Sequence, residues 1–407
     1  MARTQSPSAA DELKSLQEQL RNAHAHGDAS AYLDSAQHMR DFLNGLPTSI
    51  LQRMSVEAFA GQPEKALRSL TEFVHMGQSN EDVLKREQFD AMRNLPAYAK
   101  LHQEMVANTV SIAAASRAFS LPSEAEIPED IDFDPSAKLF YLSSAAGKKI
   151  FTLDRNGRAK VFAEAPDHWP MMALKVDARR RRLWATEVAI DGFRWSPKEE
   201  WGLSAVLLYD LQSAKLLRRI VGPAGTALGD MTLTADGDAI VSDGDRGGIY
   251  KVALVDGKIT RLDAGDFISP QTSALSGDGR HLFVPDYLRG IGILDMKTHH
   301  TTWIAMEGKY ALNGIDGLYR NGRSLIATQN GVSPERVIRF ELDPSLSRVI
   351  SESIIERATA TLGDPTHGVI VGRDFYYIAS SGWDTLDDHG NRKSDASQAV
   401  LMRARLY

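Results

Sequence analysis

Two periods divide the chain. From about Ser8 to Asn108 apolar residues recur with a helical spacing: Leu13, Leu16 and Leu20 fall at i, i+3 and i+7, as do Leu67, Leu70 and Val74. Short polar stretches interrupt this pattern. In "AGQPEKAL", Gly61 is placed to end one helix and Pro63 to open the next. The spacing predicts a bundle of about five or six helices. Its segment Ser55–Gly77, "SVEAFAGQPEKALRSLTEFVHMG", resembles a tetratricopeptide repeat, with small residues at the crossing and glycine at the turn. Residues 1–110 are assigned to this helical, tetratricopeptide-like domain, expected as a separate unit on one side of the C-terminal region.

Beyond residue 110 the period changes. A short strand, a turn such as "SGDG", an apolar strand ending in a small or polar residue, a third strand and usually a fourth recur about six times. The spacing of roughly 45 residues is that of propeller blades. Residues 111–407 are therefore read as a six-bladed β-propeller, and the fold class as multidomain, α plus all-β. The sixth unit is one strand short. The segment Ser116–Pro122 is expected to supply that strand, pairing near Val400–Leu406 and closing the ring, because closure removes two exposed sheet edges.

Composition narrows the function classes. The 407 residues carry a formal net charge of -6, which argues against nucleic acid or an anionic membrane surface as partner. The basic run Arg179–Arg182 sits in a strand-to-strand turn. With no cysteine, disulfides, thiol catalysis and cysteine–zinc sites are excluded. No stretch is apolar enough to span a bilayer. The opening "MARTQSPSAADELKSLQ" has no apolar signal core. A cytoplasmic location is the expectation, or a periplasmic one if a leader has been removed.

The first strand of each blade lines a central channel, and the starts of these strands converge at one mouth. Aligning the six units places Glu129, Met172, Gly229, Gln271, Asp316 and Thr366 at matching positions, with Asp130, Asp230 and His367 one residue later. Clustered carboxylates and an amide suit a hard cation such as Ca²⁺, which takes six to eight oxygens. A bound cation would polarise a carbonyl and acidify a water. For Asp243 and Asp286, at the ends of second strands, a hydrogen bond to the next turn is the better reading. His168 and Trp169 precede the second inner strand and are candidates for a pocket rim. Asn313 and Asn330 flank the fifth blade's strands and both read as turn formers. The insertion "VAIDGFRWSPKEEWGLS", with Trp195 and Trp201, is expected to cover a site or a partner surface. His24, His26, His38 and His75 lack metal-ligand spacing and read as surface residues.

The segments "PEDIDFDP", "SPQTSALSGDGRHLFVPDYLRGIGILD", "NGIDGLYRNGRSLIATQNG" and "DPTHGVIVGRDFYYIASSGW" resemble the regucalcin/gluconolactonase family of six-bladed propellers, with strictosidine synthase-like and paraoxonase-like relatives. The resemblance implies a metal-assisted hydrolase of a lactone or related ester. It implies Glu129, Asp230, Gln271 and Asp316 as Ca²⁺ ligands, although Gln271 stands where the family has an Asn and Gly229 where it has another. Asp316 or His367 would handle the proton, and Asp130, His168, Trp169 and Asn313 would line the substrate pocket. Two alternatives stay open: a metal-free enzyme of the strictosidine synthase-like kind, and a non-catalytic propeller that binds a small ligand. In the latter, the helices would offer a surface to a protein partner.

Overall fold

The computed structural model describes residues 7–305, 309–393 and 398–407. The chain begins with α1 (Ala9–Ala25), α2 (Ala29–Phe42), α3 (Pro47–Phe59) and α4 (Pro63–His75). Ser8 caps α1 in a reciprocal box with Asp11, and Pro47 and Pro63 occupy first-turn positions where the missing N–H costs nothing. Gly61 adopts the left-handed turn between α3 and α4 at φ 69°. Residues 81–97 form single turns, α5 (Glu81–Leu84), a 3-10 turn (Glu87–Phe89) and α6 (Asp90–Arg93), before α7 (Tyr98–Ala107).

Two strands come next, β1 (Ile112–Ala113) and β2 (Ala115–Ser120), and then six sheets around an axis. Blade 1 holds β3 (Pro128–Asp134), β4 (Leu139–Ser144), β5 (Lys149–Leu153) and β6 (Ala159–Glu164). Blade 2 holds β7 (Met171–Asp177), β8 (Arg182–Val188), β9 (Ser204–Asp210) and β10 (Leu216–Val221). Blade 3 holds β11 (Leu228–Leu233), β12 (Ala239–Asp243), β13 (Ile249–Val252) and β14 (Ile259–Arg261). Blade 4 holds β15 (Ala274–Leu275), β16 (His281–Asp286), β17 (Gly290–Asp295) and β18 (Thr301–Trp303). Blade 5 holds β19 (Ile315–Asn321), β20 (Ser324–Gln329), β21 (Arg336–Leu342) and β22 (Val349–Arg357), with β1 added outside β22. Blade 6 holds β23 (Gly368–Val371), β24 (Asp374–Ile378) and β25 (Val400–Arg405). Its outermost strand is β2, antiparallel to β25 with Ser116 opposite Arg403 and Ser120 opposite Val400.

Burial explains the sequence pattern. Second strands face neighbouring blades on both sides and read as continuous apolar runs; all five residues of β12 are buried. Outer strands alternate, as β10 does. Each interface between blades has its own core, for example Ala173, Trp184 and Val206 against Met231 and Val241 between blades 2 and 3.

The helices share cores with the propeller. Phe73, Val74 and Phe89 pack with Ala311 and Val332 of blade 5 and its approach, and Ala9, Met39 and Leu43 pack with Ile268. The fully buried Arg336 donates to Gln329 Oε1 (2.7 Å) and to the Met76 carbonyl (3.3 Å). Arg289 lies between the rings of Phe42 and Trp303, 4.5 and 4.4 Å from their centroids. These contacts involve the hairpins beside the starts of inner strands, where Pro270 bridges to Asp286, so the helices sit at the same end of the propeller as Glu129, Asp230 and Asp316. Among the described residues no helix is long and apolar enough to cross a membrane.

Candidate functional site

The inner strands do not begin regularly. Their registers slip between Pro128 and Ile131, Met171 and Leu174, Leu228 and Asp230, and Ile315 and Gly317. Such bulges re-aim side chains, and here they carry Glu129 and Asp316 and adjoin Asp230. Hydroxyls on the second strands hold the bulges. Thr186 Oγ1 accepts from Ala173 N (2.9 Å) and donates to the Gly229 carbonyl of the next blade (2.6 Å). Ser143 does the same with Asp130 N and the Met172 carbonyl, and Ser242 reaches the Gln271 carbonyl (3.0 Å). Thr272 N donates to the Asp316 carbonyl (3.2 Å), and Gly368 N donates to Tyr319 Oη (2.7 Å). His367 completes the circuit from blade 6 to blade 1, its Nδ1 lying 2.9 Å from the Glu129 carbonyl oxygen. Five of the six positions aligned by sequence, all but Thr366, thus supply the carbonyls of a polar girdle.

Four ionisable side chains meet inside that girdle. His367 is buried, with Nε2 2.8 Å from Asp230 Oδ1 and Nδ1 4.0 Å from Glu129 Oε1. Thr272 Oγ1 also donates to Asp230 Oδ1 (3.0 Å). Trp383 Nε1 donates to Glu129 Oε2 (2.6 Å). Asp316 is half-buried, and Asn330 nearby accepts from Tyr287 Oη (3.0 Å) and donates to Asp364 (3.2 Å).

The electrostatics follow from burial. Removal from water pushes Glu129 up to about 8, with Asp316 and Asp230 adding to the rise and His367 and Trp383 opposing it. Burial likewise raises Asp316 to about 7, opposed by His367 and reinforced by Asp230 and Asp364. For His367 burial alone favours the neutral ring, but Asp230, Asp130 and Asp316 outweigh it and hold the imidazole well above its ordinary value. Nδ1 meets the Glu129 carbonyl, while Nε2 lies at ion-pair distance from Asp230 with its N–H direction off the line of a hydrogen bond.

The residues implied as Ca²⁺ ligands do not present a joint oxygen shell. Gln271 turns its amide to Ser269, donating to the carbonyl (3.3 Å) and the hydroxyl (3.2 Å). Glu129 accepts from Trp383 and Asp230 accepts from Thr272, donors that oppose a cation, and the His367 ring stands at ion-pair distance from Asp230. Among the described residues no group of three or more His, Cys, Asp or Glu side chains is arranged to hold a metal ion. As placed, these side chains are arranged around the His367 ring and not around a shared cation position.

The other sequence candidates are dispersed. Asp130 is fully buried and turned to blade 2, paired with Lys175 and accepting from Leu174 N (2.9 Å). His168 is an exposed turn residue at φ 58°. Trp169 packs in the blade 2 core with Nε1 on Glu200 (2.7 Å). Asn313 donates to the carbonyls of Leu43 (3.0 Å) and Leu288 (2.8 Å), pinning the α2–α3 turn to the propeller. Asp286 accepts from four backbone N–H groups, those of Leu288 and Arg289 in its own turn and those of Ile268 and Ser269 in the connection entering blade 4.

The blade repeat does not single out Trp383. Its signal is Gly382, whose left-handed φ of 91° lets the chain turn just beyond the second strand of blade 6 and carry the indole over the mouth. There the Trp383 ring lies 5.6 Å from that of Trp195 and 6.0 Å from that of Phe193, so the insertion in blade 2 and the long loop in blade 6 meet in one aromatic cap.

No family model matches the sequence, and no curated protein matches it. Among solved structures, a gluconolactonase from Xanthomonas campestris is 14% identical, with 74% of this chain and 92% of that one covered at a TM-score of 0.51. A calcium-binding protein, regucalcin, from Agrobacterium tumefaciens is 17% identical, with 72% and 95% covered at a TM-score of 0.50. At such identities the likeness establishes the fold: the chain is a six-bladed β-propeller of the same architecture as gluconolactonase and regucalcin, preceded by α-helices.

Proposed function

We propose that the chain is a hydrolase of a lactone or related ester, acting at the capped end of the propeller channel. The observation that carries this reading is the buried His367 between Asp230 and Glu129, with the half-buried Asp316 in the same cluster. Hydrolysis needs a base to take a proton from water and an acid to protonate the leaving alkoxide. Asp316, near 7 and partly accessible, suits the base. Glu129, near 8 and so protonated at neutral pH, suits the acid. Water attacks the carbonyl carbon as Asp316 takes its proton. The C–O bond then breaks and the alkoxide oxygen takes the Glu129 proton, giving a hydroxy acid. The His367 imidazolium stabilises the negative charge that develops on the carbonyl oxygen. Trp383 must leave Glu129 before a substrate can enter. The gluconolactonase likeness supports the substrate class by analogy of fold.

Within this reading residues 1–110 form the helical unit, tetratricopeptide-like around Ser55–Gly77, and residues 111–407 the propeller. The exposed Phe59 at the end of α3 is the natural place to seek a protein partner. The test is release of acid from a panel of γ- and δ-lactones, followed with a pH indicator. Asp316→Asn and His367→Asn should each lower kcat/KM by at least about 100-fold with the fold retained. Native protein that cleaves no lactone or ester in the panel would instead favour the binding propeller, a reading helped by the closure of Trp383 over the cluster.

A further inference from the structure

A second concave site lies where the ring closes, at the other end of blades 6 and 1 from His367 and Glu129. It is a cleft of about 480 Å³ framed by β2, β25, the start of β24, and the ends of β3 and β23. That volume falls within the range of small-ligand pockets. Its wall is aromatic. Phe140 lies 4.8 Å from Phe133, 5.0 Å from Tyr376 and 5.9 Å from Phe119, ring centroid to centroid, and the latter three are only half-buried. Its rim is basic: Arg117 comes from the closing strand, Arg403 from its partner β25, and Arg155 from the exposed turn between β5 and β6.

The charges are unbalanced. Among the described residues Asp374 is the only carboxylate lining the cleft; Arg403 pairs with it at 3.1 Å, and so does Arg405 at 3.2 Å from outside. Arg117 bonds the Ser120 hydroxyl, a neutral partner. The lining thus carries a surplus of two positive charges on a chain whose net charge is -6. Guanidinium groups recognise phosphate by paired N–H donors, and they stack on π-faces as readily as phenyl rings do.

We propose that this seam cleft binds a small planar ligand bearing a phosphate, a nucleoside monophosphate being the fitting class. The ring lies on the Phe119–Phe133–Tyr376 wall, and the phosphate meets Arg117, Arg155 and Arg403. Such a ligand touches the closing strand, the strand it pairs with and the first blade at once. It therefore stabilises the closed ring by mass action.

The experiment is calorimetric titration of the full chain with adenosine 5′-monophosphate and, separately, phenyl phosphate, at constant ionic strength. At least one should bind saturably and raise the melting temperature. Adenosine and inorganic phosphate, each supplying half of the recognition, should bind at least ten times more weakly. Arg155→Glu, on an exposed turn and so harmless to folding, should weaken binding at least tenfold, and R117A/R403A further. Lactone hydrolysis by Arg155→Glu should be unchanged, which separates this site from the channel. No saturable binding of either phosphate probe, or equal binding by Arg155→Glu and the native chain, overturns the proposal.

Discussion

His367 Nε2 stands 2.8 Å from Asp230 Oδ1, inside a ring of carboxylates that could not all be charged without it. Buried like charges need a cation or a proton. The His367 ring stands where a positive charge offsets them, and burial raises Glu129 to about 8, toward its protonated form.

Stability should fall as pH rises. Glu129 and Asp316 bind protons more tightly folded than unfolded, so between about 4.5 and 8 for the first, and about 4 and 7 for the second, the folded state holds more protons. His367 works in the same direction: its contribution is full below the unfolded value near 6.5 and is lost as pH rises through its elevated folded value. Urea melts should give an unfolding free energy lower at pH 8.5 than at pH 5.5 by on the order of a few kcal/mol. A curve that rises over this interval would remove the protonated cluster from consideration.

Trp383→Phe keeps the ring in the cap and deletes the N–H that Glu129 accepts. That donor favours the carboxylate, so its loss should raise Glu129 further. The alkaline limb of the pH–rate profile should move up by about half a unit to one unit. An unmoved limb would mean that Glu129 is not the acid.

The girdle can be probed at Thr186, which is fully buried. Thr186→Val is close to isosteric and leaves the Gly229 carbonyl and Ala173 N without their partner. The expected cost is about 1–3 kcal/mol, read from denaturant midpoints. A loss below half of that would show that water replaces the hydroxyl.

Arg336 joins the helices to blade 5. Arg336→Met should lower stability by about 3 kcal/mol or more, because Gln329 Oε1 and the Met76 carbonyl lose a buried charged donor. Deleting residues 1–110 should do more, exposing Ala311, Val332 and Ile268 together. A truncated propeller that melts as the full chain does would show that the shared core contributes little.

Much of this was legible in the sequence because it is periodic. Turn, apolar strand and small residue repeat with each blade, so the six sheets and the convergence of Glu129, Asp230, Asp316 and His367 followed from alignment of the units. What was not legible depends on side-chain direction. Asp130 and Glu129 are neighbours, yet a bulge sends one to Lys175 and the other to the channel. Gln271 occupies an aligned position, but its longer side chain folds back on Ser269. Asn313 reads as a turn former near a mouth, whereas its amide ties down the helical segment. Trp383 joins the site through a loop whose path no repeat records.

The central claim is that the His367 imidazolium holds the place a metal ion would take. Nitrogen-15 NMR of histidine-labelled protein at pH 8, with His367 assigned by its loss in His367→Asn, tests it directly. The account predicts two protonated ring nitrogens whose shifts do not respond to millimolar Ca²⁺. A neutral His367 ring with one bare nitrogen, or a His367 signal that moves with saturable Ca²⁺ binding, would contradict it.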